Sequence, residues 1–526
     1  MLSGFLVFLI ALPLCLGIAM ASNFPPISGI LTAIIGGLVA TFFGSARLTI
    51  KGPAAGLIVI GLNAVNELGQ GDALAGYRLT LATIVAAALL QIAFALLKAG
   101  ALGDFFPSSV VHGMLAAIGV IICSKQVHTM LGVTPEPGDP MSLLAQIPSS
   151  LATLNPEVAL IGALSLALLF GWAHVPWKPL RQVPPQMIVV VASVLMAADF
   201  DLGHEHHYQF QGHDFAVGPN FLVALPGSLL SAVQLPDFSQ LLSATSIKYV
   251  VMFALVGSLE SLLSAKAVDA LDPDKRTSNL DRDLLAVGVG NLLAGLLGGL
   301  PMISEIVRSS ANINSGARTR WANFFHGLFL LVCVAGVPWL LARIPLAALA
   351  AMLIYTGLRL ASPSEFAKTW RIGREQMLIF TCTIVVTVAT DLLLGVFAGI
   401  VLKALMHWTH GMPLRNMFRP EIQCREEDGI VHMKVGHAAV FSNYLPIKRQ
   451  LDAIDVDKVV ILDLGSTRIV DHTVMEKLHE LERDWQRGGR TLRVAGLDAH
   501  ERVSAHPLAA RRCKNPLLNA QAPEAE

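Results

Sequence analysis

The chain has 526 residues, of which 54% are hydrophobic and only 14% are charged. Soluble globular proteins carry about 25% charged residues, so this composition excludes an ordinary soluble protein and indicates a membrane protein. The formal net charge is zero, so we expect no nucleic-acid partner.

Apolar stretches recur along most of the chain, and many are close to the roughly 20 residues that an α-helix needs to cross a bilayer. The apolar pattern predicts fourteen segments, at 3–20, 26–43, 53–66, 76–98, 106–132, 154–173, 184–199, 246–268, 282–299, 302–316, 320–341, 345–360, 376–390 and 391–408. The third and tenth of these are too short to span a membrane alone.

The positions of lysine and arginine predict the orientation of the chain. Neither residue occurs in the predicted outer loops 67–75, 133–153 and 200–245. The predicted inner loops carry Lys98, Lys178, Arg181, Lys275, Arg276, Arg282, Arg318, Arg320, Lys368, Arg371 and Arg374. Because cytoplasmic loops are enriched in basic residues, we expect both ends of the chain in the cytoplasm and the chain in the inner (plasma) membrane.

The sequence becomes polar from about residue 410. Short β-like runs at 430–435, 458–464 and 491–495, with an amphipathic helix at 472–487, are typical of a small α/β domain. We therefore predict four parts, which are a transmembrane domain 1–409, a linker 410–425, an α/β domain 426–505 and a disordered tail 506–526.

Two segments rich in glycine and proline open the short third and tenth segments. Each consists of an extended piece, then glycine and proline, then a half-helix, and the prolines Pro53 and Pro301 suit a first helical turn. Interrupted segments at corresponding places of two halves are typical of transporter binding sites, and a separation of about 250 residues fits a seven-plus-seven inverted repeat. The alternative is that each Gly-Pro pair only kinks a span.

Half-helices that begin inside the membrane expose free N–H groups and the positive end of the helix dipole, which together can bind an anion. The predicted substrate-binding residues are Gly52, Pro53, Ala54, Ala55, Ser304, Glu305, Ile306 and Arg308. Arg308 lies about two turns into the tenth segment, where a charge is costly and faces a cavity or a partner. We interpret it as part of the anion site, and the alternative is an ion pair with Glu305.

Glu260 lies deep inside the eighth segment, and Ser264 follows one helical turn later on the same face. A buried carboxylate beside hydroxyl groups can bind sodium or carry a proton, so we predict that these two residues hold a coupling ion. The alternative is a fixed hydrogen bond in helix packing. A histidine-rich outer loop at 204–214 matches no metal-binding spacing, so we predict no metal site and no cofactor. No nucleophile triad or paired carboxylates appear, so we expect no enzyme.

Four segments, at 10–17, 26–30, 51–56 and 308–319, together resemble the SulP (sulfate permease) family. The C-terminal domain resembles a STAS domain, the usual appendage of that family. The resemblance implies an α-helical membrane protein with fourteen transmembrane segments arranged as gate and core domains, and a small cytoplasmic STAS domain. It further implies an anion bound between the third and tenth segments, elevator-like movement and a homodimer surrounded by lipids.

Within the family, the first segment and the run around Glu260 look most like bicarbonate transporters, which carry an acidic residue and a hydroxyl where Glu260 and Ser264 stand. The resemblance therefore implies a secondary active bicarbonate transporter coupled to sodium or protons. Glu305 departs from those transporters and would suit a proton-coupled transporter of sulfate or a dicarboxylate. Further alternatives are a nucleobase permease and a membrane-anchored STAS scaffold without transport. A STAS domain can also have a cytoplasmic partner; Thr473 is interpreted as a helix N-cap rather than a phosphorylation site.

Overall fold

The computed structural model describes residues 1–100, 106–136, 138–176, 183–210, 212–224, 232–410, 412, 414–427 and 429–514. Lys178 and Arg181 of a predicted inner loop lie outside these residues, as does the end of the predicted tail from 515. The chain divides into two compact units, one formed by Met1–Gly100 with Ile118–Leu360 and the other by Ala101–Ala117 with Ala361–Glu526.

The first unit is mostly helical. Its helices are α1 (Leu2–Ala21), α2 (Pro26–Leu38), α3 (Ala40–Phe43), α4 (Ile58–Gly69), α5 (Ala73–Leu96), α6 (Ser108–Met130, which begins in the second unit), α7 (Pro140–Ala152), α8 (Pro156–Gly171), α9 (Pro185–Asp199), α10 (Ala244–Leu271), α11 (Leu280–Leu297), α12 (Ile306–Asn314), α13 (Trp321–Gly336), α14 (Pro338–Leu341) and α15 (Leu346–Leu360). Within the described part of the chain, seven helices are long and apolar enough to cross a membrane.

Helix α7 lies where the sequence predicts only an outer loop, so that prediction is incomplete. The helix begins with a proline at its first position, after Asp139, whose side chain accepts a hydrogen bond from the Ser142 N–H at 3.3 Å. A proline at the first position and a capping aspartate are both typical of helix starts. The prediction from long apolar runs does not use these signals. The axis bends by 116° between α7 and α8.

Four short strands belong to the first unit, and two of them support the predicted half-helices. They are β1 (Ile50–Pro53), β2 (His206–Phe210), β3 (His213–Val217) and β4 (Met302–Glu305). Strands β1 and β4 pair antiparallel, with Ile50 opposite Glu305 and Pro53 opposite Met302. Extended backbone at membrane depth needs hydrogen-bond partners within the protein, and each strand supplies them to the other.

The strand pair corrects the predicted helix starts. Pro53 is the last residue of β1, and a 3-10 turn at Ala55–Leu57 leads into α4. Pro301 precedes β4, and α12 begins only at Ile306. Neither proline therefore lies in the first turn of a helix, because the residues after Pro301 pair with β1 instead of coiling.

The second unit combines helices with a mixed sheet. Its helices are α16 (Pro363–Ile372), α17 (Arg374–Ala389), α18 (Leu392–Thr409), α19 (Leu414–Phe418), α20 (Tyr444–Asp452) and α21 (His472–Arg487). Its strands are β5 (Glu421–Glu427), β6 (Ile430–Ala439), β7 (Val459–Asp463), β8 (Thr467–Val470), β9 (Thr491–Ala495), β10 (His500–Arg502) and β11 (Arg511–Cys513). The strand order is β10-β11-β8-β6-β7-β9, with β5 beside β6.

The predicted strands and helix of the α/β domain coincide with β6, β7, β9 and α21, but the sheet is larger than predicted. Strand β5 begins inside the predicted linker 410–425, and β11 lies inside the tail that the sequence predicts to be disordered. Strand β11 pairs with β8, so its backbone is ordered by the sheet, although its Arg-Arg-Cys sequence has no apolar pattern.

Helix α21 begins after Asp471, whose side chain accepts a hydrogen bond from the Val474 N–H at 2.7 Å. The prediction that Thr473 is the N-cap is therefore wrong, because Asp471 has the extended backbone that a cap requires. Thr473 is buried, and its hydroxyl accepts a hydrogen bond from Lys403 Nζ of α18 at 2.7 Å. Lys403 Nζ also lies 3.2 Å from a carboxylate oxygen of Asp471.

Candidate functional site

The two half-helices begin on either side of the β1–β4 strand pair. The 3-10 turn at Ala55–Leu57 follows β1, and α12 follows β4. Because the strands are antiparallel, the two helices leave from opposite ends of the pair, with their positive ends towards the strands. At neither start does a backbone N–H donate a hydrogen bond to the side chain of its own N-cap residue. The N–H groups of both starts are therefore left for another acceptor.

Glu305 connects the two starts. It is the N-cap residue of α12, and its Oε1 accepts a hydrogen bond from the Ala55 N–H at 3.4 Å. Its side chain is largely buried, with 9% of the residue exposed. A carboxylate of the protein therefore already contacts the N-terminus of the opposite half-helix.

Arg308 lies in the first turn of α12 and is 1% exposed. Its Nη2 donates to the Pro53 carbonyl oxygen at 3.1 Å, and its Nη1 contacts Cys15 Sγ at 3.6 Å. The alternative ion pair with Glu305 does not form in the structure, where the guanidinium faces β1 instead. A Cβ atom at Gly52 would lie 2.4 Å from Nη1, so the guanidinium needs a glycine there.

Glu260 packs against the first half-helix. It is 6% exposed, and neither of its carboxylate oxygens has a hydrogen-bond partner among the described residues. A Cβ atom at Gly56 would lie 1.8 Å from Glu260 Oε1, so the carboxylate occupies the space that glycine leaves. The hydroxyl of Ser258, in the same helix α10, is also buried without a partner within the described chain. A buried carboxylate with no internal partner is costly unless it binds a cation or a proton.

The structure does not join Ser264 to Glu260. Ser264 is half-buried, one turn further along α10, and no hydrogen bond connects the two described side chains. Ser261, which sequence reasoning missed, is the residue of this run that contacts the strand pair: its Oγ accepts a hydrogen bond from the Ser304 N–H at 3.0 Å. Its position beside Glu260 in the same serine-rich run is a signal that could have identified it.

A buried ion pair joins strand β1 to helix α11. Lys51 Nζ lies 2.8 Å from Asp283 Oδ1, and both side chains are 2% exposed. The other oxygen of Asp283 accepts a hydrogen bond from Ser304 Oγ at 2.9 Å. Asn291 accepts a hydrogen bond from the Met302 N–H at 2.5 Å and donates to the Met302 carbonyl oxygen at 3.1 Å. Of these residues the sequence analysis assigned only Ser304 to the site, and Lys51, Asp283 and Asn291 were missed.

The remaining predicted substrate residues differ in exposure. Ala54 is buried and Ala55 is half-buried, whereas Ile306 is 40% exposed. The histidine-rich loop lies elsewhere, at the β2–β3 hairpin, where His204 pairs with Asp201 and His207 pairs with Asp214. Across the described ranges, no three metal-ligating side chains cluster together.

A mostly helical chain whose half-helices begin at a buried strand pair is an integral, multi-pass membrane protein with a transporter fold. The profile of the sulfate permease family matches residues 1–383, so the chain belongs to this family of anion transporters. The family predicted from the four sequence segments is thereby confirmed.

Individual relatives differ in the anion that they are named for. The bicarbonate transporter BicA of Synechocystis is 26% identical over 377 residues, which cover 71% of this chain and 63% of the relative. A sodium-independent sulfate anion transporter of Bos taurus is 24% identical over 525 residues, which cover 94% of this chain and 83% of the relative. The solved transmembrane domain of a cyanobacterial BicA is 26% identical with a TM-score of 0.62, covering 76% of this chain and 96% of that domain.

Proposed function

We propose that this chain is a secondary active transporter that moves bicarbonate together with a coupling cation. The observation that carries the proposal is the balance of charge at the two half-helix starts, where one buried guanidinium and two buried carboxylates lie. These groups are Arg308, Glu305 and Glu260.

The charge balance favours a monovalent anion. Each helix N-terminus contributes roughly half a positive charge, so two ends and Arg308 together nearly offset two ionised carboxylates. A bicarbonate ion then needs one additional cation, whereas a sulfate ion needs two. Sulfate or a dicarboxylate is the alternative, and it requires that both carboxylates take up protons.

Glu260 is the proposed site of the coupling ion. Its two carboxylate oxygens, which have no hydrogen-bond partner among the described residues, are hard oxygen ligands that suit sodium, and the same carboxylate suits a proton. The likeness to BicA supports bicarbonate, and the likeness to the sodium-independent sulfate transporter supports the sulfate alternative without sodium. In the proposed arrangement Ser264, one helical turn from Glu260 on the same face of α10, contributes a hydroxyl to the site of the coupling ion.

The proposal includes the wider organisation of the chain. It consists of fourteen spans in a seven-plus-seven repeat, elevator-like movement of the part that carries the half-helices, and a homodimer in the inner membrane. The STAS domain lies in the cytoplasm and is available to a cytoplasmic partner. A scaffold without transport is the competing function, and the unpartnered Glu260 beside Gly56 argues against it, because a purely structural carboxylate would be hydrogen-bonded.

The test is uptake by the purified protein in proteoliposomes. Labelled bicarbonate, sulfate and fumarate are compared with an inward sodium gradient, with an inward proton gradient and with neither. We expect uptake of bicarbonate that requires one of the gradients. Arg308→Ala should abolish uptake, since it removes the site's buried cation, whereas Arg343→Ala, at an exposed arginine stacked on Trp339, should not.

Each other outcome has a definite meaning. Greater uptake of sulfate or fumarate than of bicarbonate would replace the proposed substrate by the alternative. Folded protein that takes up none of the three anions would contradict transport and favour the scaffold. Full uptake by Arg308→Ala would remove this residue from the anion site.

A further inference from the structure

We propose that Glu305 is a tethered competitor of the transported anion: its carboxylate binds an N–H group that the anion needs, and the anion binds when Glu305 leaves. This inference rests on the proposed function of the same site. It adds a residue that sets the affinity of that site for its substrate.

The geometry places the Glu305 carboxylate where an anion would bind. It belongs to the N-cap residue of α12, and its Oε1 accepts the hydrogen bond of the Ala55 N–H at the start of the opposite half-helix. Free N–H groups at helix starts are the groups that bind anions in proteins. One end of the site is therefore already filled by a carboxylate of the chain.

The hold on this carboxylate is weak. At 3.4 Å its hydrogen bond to Ala55 is long, and it is the single hydrogen bond that the described residues give to the Glu305 carboxylate. The guanidinium of Arg308 contacts Pro53 and Cys15 and forms no hydrogen bond with Glu305. A carboxylate with a purely structural role is typically held by several short, charge-assisted hydrogen bonds. Glu305 is instead placed so that it can be displaced.

The surrounding charges make displacement necessary. The titratable and charged groups that face Glu305 among the described residues are Arg308 on its own helix, Glu260 on α10 and Cys15 on α1. Arg308 favours one negative charge at this place, whereas Glu260 disfavours a second one beside it. A transported anion and an ionised Glu305 therefore cannot both occupy the position at the Ala55 N–H. Binding requires that Glu305 swing away or take up a proton, so acid should strengthen anion binding.

The test compares bicarbonate uptake by wild-type protein, Glu305→Gln and Glu305→Ala in proteoliposomes. A tethered group competes at an effective concentration of about millimolar, so its removal should lower the KM for bicarbonate by about tenfold. In wild-type protein the KM for bicarbonate should be lower at mildly acidic pH than at mildly alkaline pH. Each KM is expressed as the concentration of the bicarbonate ion itself at that pH. In both variants the KM should depend clearly less on pH than in the wild type, because only Glu260 of the two carboxylates remains. Glu157→Gln, at a carboxylate of α8 outside the site, is the matched control and should keep the wild-type values.

The variants also separate competition from a structural cap. A glutamine can still accept the Ala55 hydrogen bond, so a structural role predicts a wild-type KM for Glu305→Gln and a raised KM for Glu305→Ala. That pattern would overturn the proposal.

A second variant applies if Glu305→Gln does not fold. Glu305→Asp keeps the charge but shortens the reach of the carboxylate, so it should also lower the KM. An unchanged KM would again overturn the proposal. If wild-type protein takes up sulfate instead, the same comparison is made with sulfate. Absence of uptake by wild-type protein contradicts the proposed function itself. This outcome is distinguishable from the KM patterns that would overturn the role of Glu305 alone.

Discussion

At the scale of single residues, two glycines determine whether the charged groups can reach the half-helices. Gly52 leaves room for the guanidinium of Arg308, and Gly56 leaves room for the carboxylate of Glu260. A side chain at Gly52 would overlap with the guanidinium, and a side chain at Gly56 would overlap with the carboxylate. These glycines are needed because a charged group lies very close to their Cα atoms, and not because the backbone adopts a conformation that only glycine allows.

Gly56→Ala should therefore abolish coupled uptake while the protein still folds. The added Cβ would lie 1.8 Å from Glu260 Oε1 and 2.5 Å from Oε2, so the carboxylate must move away from the first turn of the half-helix. Overpacking of this kind costs about 1–3 kcal/mol, which a large membrane protein can tolerate. We expect at least about a tenfold loss of bicarbonate uptake, as one displaced site residue is worth about 1.4 kcal/mol or more.

Gly171→Ala is the matched control, since a Cβ atom at the end of α8 would meet nothing within 4 Å. Uptake and the melting temperature of the detergent-purified protein are measured for both variants. Normal gradient-driven uptake by Gly56→Ala would show that Glu260 does not need its contact with the half-helix. An equal loss in Gly171→Ala would show that the effect is not local.

At the scale of elements, the second unit joins α18 to α21 through a buried cluster of charges. Lys403 of α18 lies beside both Asp471 and Thr473 at the start of α21. Burial alone would raise the pKa of Asp471, but Lys403, His407 and the N–H groups of Val474 and Phe441 outweigh it and lower the pKa. The negative charge that caps α21 is thus held in place by a lysine of a predicted span.

Lys403→Met should destabilise the second unit. Removal of one partner from a buried ion pair leaves an uncompensated charge and costs on the order of 3–5 kcal/mol. We expect a clearly lower melting temperature and faster proteolysis of the C-terminal domain in the purified full chain. Lys458→Met is the matched control, because Lys458 pairs with the exposed Glu426 and a surface pair contributes little.

The pH dependence of this effect has a definite sign. Because the pKa of Asp471 is lowered in the folded protein, its contribution to stability is complete above its unfolded pKa of about 3.9 and is lost as the pH falls through the folded value. The difference between wild type and Lys403→Met should therefore be largest near neutral pH and shrink in strong acid. A difference that grows on acidification would contradict the buried ion pair.

The elements also show where sequence reasoning succeeds and where it ends. Each predicted apolar segment contains at least one described helix, because long apolar runs leave few alternatives, but the segments 53–66 and 302–316 begin in strands. The Gly-Pro signals identified both half-helices but misplaced their starts, since the pairing of β1 with β4 is a contact across about 250 residues that no local pattern contains. The pair of Lys51 with Asp283 and the contact of Arg308 with Cys15 are equally distant in sequence.

At the scale of the whole molecule, the predicted orientation decides which side of the membrane the C-terminal α/β domain faces. The absence of lysine and arginine from the three predicted outer loops predicts that these loops face outward and that the C-terminal α/β domain faces the cytoplasm. The proposed cytoplasmic partner would then reach this domain without crossing the membrane. Orientation is therefore a property on which the rest of the proposed organisation depends.

Cysteine accessibility tests the orientation directly. Cys424 is an exposed free cysteine on β5, so a membrane-impermeant maleimide should label it in inside-out vesicles but not in intact cells. Cys424→Ser should remove this labelling, which assigns the signal to one residue. On that background His204→Cys, in the exposed histidine-rich loop, should be labelled from the outside of intact cells. Labelling of Cys424 in intact cells, with His204→Cys protected, would reverse the orientation and place the C-terminal α/β domain beyond the reach of any cytoplasmic partner.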